Sequence, residues 1–178
     1  MTPPDLCVTN PPMQATEQDL MARLDTLGIE TTTHRHPAVF TVEEARAHCS
    51  HLPGCHCKNL FLKDKKGGLW LVVARDDAPI SMKHLDKQIG SARLSFGKPD
   101  LLLEVLGVIP GAVTPFALIN DGEHRVNVVL DAKMMASDLV NYHPLTNEAT
   151  VALTPDALVT FIRACGHEPA VLEIDAPE

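Results

Sequence analysis

The sequence predicts an α+β fold: a mixed, mostly antiparallel curved sheet that bends toward a barrel and is surrounded by helices. Two hairpin signatures, Lys65-Lys66-Gly67-Gly68 and Asp121-Gly122, each lie between apolar, β-branched runs. Helical segments interrupt the strands without the regular alternation of a parallel sheet. The chain has 178 residues, of which 45% are hydrophobic, enough for one domain with a full core. We expect a leader over residues 1–15, which carries four prolines, and one domain over 16–178.

Capping residues and apolar spacing predict the elements of the first half. Leu20, Met21, Leu24 and Leu27 recur at helical spacing after Thr16, and Thr41-Val-Glu-Glu44 is a capping box. The predicted elements are a helix from Thr16 to 27, a strand over 29–36, a helix from Thr41 to near His48, strands over 56–64 and 69–75, and a helix from Ser81 to Gly90.

The second half is predicted by the same signals. Pro99 suits the first turn of a helix, and Gly107 suits its end. The predicted elements are a strand over 93–96, a helix over 99–106, a hairpin of strands 113–120 and 124–131, a helix over 132–138, strands over 139–143 and 150–153, a helix from Thr154 to Cys165 and a strand over 171–174.

Composition excludes several classes of function. The net charge of −8 argues against a protein that coats nucleic acid, and 4% aromatic residues argue against an aromatic platform for single strands, but a protein that grips one nucleic-acid end through a few contacts is still allowed. The first residues lack the basic and apolar regions of a signal peptide, and no apolar run could span a membrane. Five cysteines without a CxxC pair favour reduced thiols, so we expect a cytoplasmic protein.

Lys58 is the first candidate site residue. It stands with Asn59 at the start of an apolar strand, where a lysine can hold an anion, orient a carbonyl or reach to water. The surrounding cysteines and histidines also admit a metal site, but Cys55-His56-Cys57 lacks zinc-type spacing. Scattered buried thiols and surface histidines are the stronger explanation, so no metal is predicted.

Two further segments carry chemistry. In Gly107–Phe116, two glycines and two prolines define a turn in which Gly111 permits close approach to a ligand. A binding loop and a rigid connection are both open interpretations. In 141–150, His143 can exchange a proton near neutrality, although a self-capped turn explains the segment as well.

Together these segments resemble the bacterial trans-editing aminoacyl-tRNA deacylases, free-standing relatives of the editing domain of prolyl-tRNA synthetase. The resemblance rests on four stretches in family order, which are His36-Pro37 with Thr41–Glu44, Cys57–Leu62, Gly111–Phe116 and Asn141–Thr150. Within the family, the Lys-Asn pair and His143-Pro-Leu-Thr-Asn147 resemble the single-domain enzymes that clear alanine from tRNA for proline.

The resemblance implies hydrolysis of the aminoacyl ester without a cofactor, with mischarged tRNA bound by its acceptor end. It assigns catalysis to Lys58 and substrate binding to Asn59, Gly111, Thr114, Pro115, His143 and His36. We expect prolyl-tRNA synthetase or an elongation factor as transient partners, and neither membrane nor DNA. Leu60, Leu62 and Val72 are candidate liners of a small apolar pocket. Deacylation of cysteinyl-tRNA(Pro) or of another aminoacyl-tRNA, and a non-catalytic module that binds a tRNA end or a synthetase, remain open alternatives.

Overall fold

A computed structural model describes residues 14–39, 41–49 and 51–174. The helices are α1 (Glu17–Thr26), α2 (Val42–Cys49), α3 (Met82–Ile89), α4 (Pro99–Leu106), α5 (Ala132–Met135) and α6 (Pro155–Ala164). The strands are β1 (Thr32–Arg35), β2 (Cys55–Asp64), β3 (Leu69–Arg75), β4 (Leu94–Phe96), β5 (Val126–Asp131), β6 (Val140–Tyr142), β7 (Ala149–Leu153) and β8 (Ala170–Leu172). A 3-10 helix spans Pro115–Asn120. The predicted leader falls on residues 1–13, outside the described residues, and on residues 14 and 15.

The strands form one sheet in the order β1-β7-β6-β2-β3-β5-β8, with β4 added to β2. Four of the seven pairings are antiparallel, namely β1–β7, β2–β3, β2–β4 and β6–β7. The pairings β2–β6, β3–β5 and β5–β8 are parallel. The predicted fold class is therefore confirmed, and the described sheet stays open because β1 and β8 are its two ends.

Both faces of the central strands are buried. Leu71 and Val73 of β3 belong to the larger apolar core, which the 3-10 helix and helices α1, α4 and α6 complete. Val72 belongs to a second, smaller core with Leu62 and Leu85 of α3. This alternation follows from the two-residue period of a strand. It also means that Leu62 and Val72, which the sequence offered as pocket liners, are core residues with 0% exposure.

Two of the predicted helix starts have the expected cap hydrogen bonds, whereas Ser81 at the start of α3 makes no side-chain cap bond. Thr16 and Asp19 form a reciprocal capping box at α1, and Thr154 accepts a hydrogen bond from the Ala157 amide at α6. Half of the box at Thr41 is formed: its hydroxyl accepts from the Glu44 amide at 3.1 Å. The Glu44 carboxylate accepts a hydrogen bond from the Thr41 hydroxyl at 3.3 Å. This side-chain bond takes the place of the bond to a backbone amide that a full capping box would have.

The second predicted hairpin is wrong. Residues 115–120 form a 3-10 helix in which Thr114 is the N-cap and Pro115 occupies the first turn. Its apolar residues, including Phe116, are buried, and a short buried apolar run cannot be assigned to strand or helix by periodicity. Strand β5 then pairs with β3 and β8, both in parallel. The Asp121 carboxylate fixes this entry because it accepts from the amides of Arg125 and Val126.

Candidate active site

Within the described part of the chain, one edge of β2 has no strand partner over its middle. Strand β6 pairs with β2 only at Cys55 and His56, and β4 pairs with it only from Leu62 onward. Among the described residues, the stretch between them has β3 on its other edge and no strand on this one. A cavity of about 280 Å³ opens against this stretch, lined by Val39, Thr41, Cys49, His56, Cys57, Lys58, Asn59, Leu60, Asp76, Gly111, Val113, Asn141, Tyr142, His143 and Thr150.

Lys58 lies on the wall of this cavity, half-buried. Its ammonium group donates a hydrogen bond to the Ala78 carbonyl at 2.5 Å. This bond ties the side chain to the loop after β3 and uses one of the three N–H donors that an ammonium group carries. A lysine so held can direct its remaining donors at a carbonyl or phosphate oxygen in the cavity.

Asn59 adds an acceptor beside Lys58. Its side-chain oxygen is buried and has no hydrogen-bond partner among the described residues. Three other buried side-chain atoms share that condition, in Trp70, Gln88 and His167, but Asn59 alone among these four residues lines the cavity. A buried acceptor without a partner costs about 1–3 kcal/mol, so a donor supplied by a ligand would relieve that cost.

The loop before the 3-10 helix forms the facing wall. Gly111 has φ +92°, a left-handed conformation that favours glycine, and the Ala112 amide closes the turn on the Ile109 carbonyl at 3.0 Å. Thr114 and Pro115 are fully or nearly buried behind this wall and do not line the cavity. The Thr114 hydroxyl accepts from the Phe116 amide at 3.3 Å, so both residues shape the loop from behind.

His143 stands at the β6 side of the cavity. Its Nδ1 lies 2.9 Å from the Ala149 carbonyl, which only accepts, so Nδ1 carries the proton and Nε2 of the neutral ring is an acceptor. Burial lowers the pKa of His143, and the neighbouring His36 acts in the same direction. The two rings lie 6.0 Å apart. His36 does not line the cavity itself; its Nε2 contacts the hydroxyl of the lining residue Thr150 at 2.9 Å.

Several lining residues were missed by the sequence analysis. Asn141 is held by bonds from its amide to the carbonyls of Pro53 and Cys55, at 3.1 and 3.2 Å. Tyr142 is buried against Met134, and this burial raises its pKa well above the usual value. Both are next to His143 in the segment that the sequence had marked, so the signal was present. Asp76 and Val39 carried no such signal.

The two cysteines of the Cys-His-Cys stretch face the same side of β2, with their sulfur atoms 3.9 Å apart. The Cys57 thiol donates to Cys55, and this bond is the main cause that lowers the pKa of Cys55 to about 7. Burial raises the pKa of Cys57. Within the described part of the chain, no three His, Cys, Asp or Glu residues come together as a metal-binding group.

Comparison with known proteins decides what kind of site this is. The family model for the aminoacyl-tRNA editing domain matches residues 36–161. The chain belongs to this family. It is 44% identical over 163 residues to a prolyl-tRNA synthetase associated domain-containing protein 1 of Xenopus laevis, which covers 89% of this chain and 96% of the relative. It is 38% identical over 159 residues to the prolyl-tRNA editing protein ProX of Acetoanaerobium sticklandii, covering 89% of this chain and 97% of that protein.

The fold agrees with this family. A crystal structure described as a candidate trans-editing enzyme for prolyl tRNA synthetase superposes with a TM-score of 0.71 at 19% identity, covering 90% of this chain and 97% of the other. As a member of the editing family, the protein is an aminoacyl-tRNA deacylase, which hydrolyses the ester between an amino acid and the terminal ribose of a mischarged tRNA. None of the helices in the described ranges is long and apolar enough to cross a membrane.

Proposed function

We propose that this deacylase clears alanine from tRNA for proline, with Lys58 as its catalytic residue. The observation that carries the proposal is that one small cavity is lined both by Lys58, which keeps N–H donors beyond its bond to Ala78, and by Asn59, whose side-chain oxygen has no partner among the described residues. Relatives named for prolyl-tRNA editing and for association with prolyl-tRNA synthetase support the choice of tRNA.

The need for such an enzyme follows from size. Alanine is smaller than proline, so a synthetase pocket built for proline cannot exclude it, because a missing methylene changes binding by only about 1–3 kcal/mol. A second site that admits alanine and sterically rejects proline solves the problem. The cavity has apolar residues on its wall, Val39, Leu60 and Val113, which suit the methyl side chain of alanine.

The chemistry uses groups that the cavity already presents. The remaining N–H donors of Lys58 polarise the ester carbonyl, which stabilises the charge that develops on its oxygen, or they hold the terminal nucleotide. The Asn59 oxygen accepts from the α-ammonium group of the aminoacyl ester. His143 Nε2 accepts from the attacking water and orients it, and the backbone turn at Gly111 closes the pocket around the amino acid.

Thr114, Pro115 and His36 support this pocket without touching its contents. Thr114 and Pro115 hold the Gly111 turn, and His36 positions the Thr150 hydroxyl. Residues 16–178 act as one editing domain, the site of action is the cytoplasm, where tRNA is charged, and contact with prolyl-tRNA synthetase or an elongation factor is transient.

The test is deacylation of alanyl-, cysteinyl- and prolyl-tRNA for proline by the wild type and Lys58→Ala. We expect alanyl-tRNA to be hydrolysed fastest, prolyl-tRNA to be spared, and the variant to lose about 10²–10³-fold in rate. Lys133→Ala is the control, because that exposed lysine faces Glu173 at 3.7 Å and is not on the cavity wall. A Lys58→Ala enzyme with the wild-type rate would refute the catalytic role, and preference for cysteinyl-tRNA would refute the substrate.

The same assay separates the enzyme from a binding module. A module that only holds the acceptor end would bind charged tRNA and release no amino acid. We expect release of free alanine by the wild type in a single-turnover experiment, followed with radiolabelled alanine.

A further inference from the structure

Basic residues are concentrated in two short segments of this acidic chain. Residues 58–66 and 82–98 hold eight of the 15 basic residues but only two of the 23 acidic ones, Asp64 and Asp86. The chain as a whole carries −8. Such separation of charge creates a local positive surface on a protein whose net charge would repel an anion.

This surface is not neutralised by the protein itself. Within the described ranges, the salt bridges between side chains use Arg35, Arg75, Arg125, Lys133 and Arg163. None of these five lies in the two basic segments. Apart from Lys58, the basic residues of those segments form no salt bridge within the described ranges; they are Lys63, Lys65, Lys66, Lys83, Lys87, Arg93 and Lys98.

Phe96 lies within this basic surface and is 66% exposed, more than any other large hydrophobic residue among those described. Phe96 is one of the residues that line a groove together with Lys63, Lys65, Ser95 and Lys98, and Asp100, Leu101 and Glu104 of helix α4 also line it. We call this the β4 groove. Proteins that bind single-stranded nucleic acid combine an exposed aromatic ring with lysines, because a base stacks on the ring and the phosphates contact the ammonium groups.

The acids of the groove do not cancel the lysines. The Asp64 carboxylate accepts from the amides of Lys66, Gly68 and Ala92, so its charge is engaged within the hairpin. Glu104 is paired with Arg125 at 2.8 Å. Asp100, in the first turn of α4, is the acid that remains on that wall.

The β4 groove and the cavity lie at successive positions along β2. Phe96 pairs directly with Leu62, which shares its face of the strand with Lys58. Leu62 lies four positions after Lys58, a distance of about 13 Å along a strand. That is the length of about four stacked nucleotides, and fewer when the strand is extended. Phe96 is therefore within reach of the nucleotides that precede a terminal adenosine held at Lys58.

We propose that the β4 groove binds the unpaired 3′ end of the tRNA, with Phe96 as a stacking platform for a base upstream of the terminal adenosine and Lys63 and Lys98 as phosphate contacts. The proposal rests on the proposed function, since it takes the aminoacyl end to lie in the cavity.

The test compares Phe96→Ala and the double variant Lys63→Gln/Lys98→Gln with the wild type. Binding of uncharged tRNA for proline is measured by fluorescence anisotropy over a series of salt concentrations. We expect Phe96→Ala to weaken binding about tenfold, since stacking on one aromatic residue contributes on that scale. The lysine double variant should reduce the slope of log affinity against log salt by about 1.4, because each single-strand phosphate that a lysine neutralises adds about 0.7 to that slope.

Two controls match these changes. Val171→Ala truncates an exposed apolar residue on β8, at the far end of the sheet, and Lys133→Gln removes a charge outside the basic surface. Both should bind tRNA as the wild type does. Hydrolysis of the alanyl ester of adenosine adds a second readout, because this substrate is too short to reach the groove. The ratio of tRNA to adenosine-ester hydrolysis should fall about tenfold in Phe96→Ala.

The outcomes are distinct. Unchanged affinity and salt slope in both groove variants would overturn the proposal. Equal loss of the tRNA and adenosine-ester reactions would also overturn it, because the lesion would then be in the cavity. Variants that weaken binding to prolyl-tRNA synthetase alone would make the groove a protein-docking surface. Groove variants that weaken tRNA binding in an enzyme that spares alanyl-tRNA would refute the proposed substrate and support the groove.

Discussion

The Asp121 carboxylate and the Asn59 side-chain oxygen are both buried acceptors, one in a turn and one in a residue that lines the cavity, but their hydrogen bonding differs. The Asp121 carboxylate accepts from the amides of Arg125 and Val126 and contacts His167 Nε2 at 2.9 Å. In the cavity, the Asn59 oxygen has no partner among the described residues. Since folding penalises a buried polar group that lacks a partner, satisfied groups hold the scaffold, and an unsatisfied one in a residue that lines a cavity is a candidate contact for substrate.

The largest expected effect is a loss of stability when the hydrogen-bonded Asp121 carboxylate is removed. Asp121→Ala leaves His167 and two backbone amides without their acceptor, so we expect a loss of about 3–5 kcal/mol in the free energy of unfolding. Denaturant titration measures this loss. Glu123→Ala, at an exposed neighbouring acid, should change stability by under about 0.5 kcal/mol. If Asp121→Ala were as stable as the wild type but inactive, the division between scaffold and site would be wrong.

Asn59→Ala tests the role of the side-chain oxygen that has no partner among the described residues. It removes an acceptor that contributes no bond to the described fold, so stability should change by less than about 1 kcal/mol. Deacylation should fall about 10–100-fold, because a hydrogen bond to a charged group contributes about 1.5–3 kcal/mol. Asn127→Ala, which removes a bond from an exposed side chain to the Leu69 carbonyl, is the control and should retain full activity. Full activity in Asn59→Ala would assign its oxygen to the scaffold.

His143 lines the cavity and is also held by a hydrogen bond to the Ala149 carbonyl, so it belongs to both the site and the scaffold. The pH dependence of stability tests whether its buried ring is neutral. Burial lowers its pKa in the folded state below the ordinary 6.5, so the unfolded chain takes up the proton first as the pH falls. Stability should therefore decrease below about pH 6.5, by about 1.4 kcal/mol for each pH unit over which the states differ by one proton. His143→Gln should lack this component in the difference between the two unfolding curves. Identical curves would contradict the buried neutral ring.

The smallest expected effect is a difference in thiol reactivity, which does not involve the deacylation reaction. The pKa of Cys55 is lowered to about 7, whereas burial raises that of Cys165 to about 11. Thiolate is the reactive form, so iodoacetamide at pH 7.5 should modify Cys55 at least about tenfold faster than Cys165. Peptide mass spectrometry over a time course would show it, with Cys55→Ser as the control. Equal rates would mean that Cys57 does not polarise Cys55.

Local signals in the sequence predicted most of the fold. Helix α4 and strand β3 have the predicted bounds, because Pro99, Gly107 and the Lys65–Gly68 turn act within a few residues of the ends that they define. The segment 113–120 was misassigned for the opposite reason. Its burial and the capping by Thr114 depend on packing against distant helices, which a short apolar run does not reveal.

The sequence by itself determined the α+β class, the helix caps and the segments that resemble an editing enzyme, because capping, turn chemistry and apolar periodicity are local. Only the tertiary structure decided which residues of those segments face one cavity. It placed Lys58, Asn59, Gly111 and His143 on the wall, moved Thr114, Pro115 and His36 behind it, and added Asp76 and Thr150. It also set Phe96 beside the unpaired lysines. These arrangements depend on the unpaired edge of β2, and strand pairing between residues far apart in the chain is not a local property.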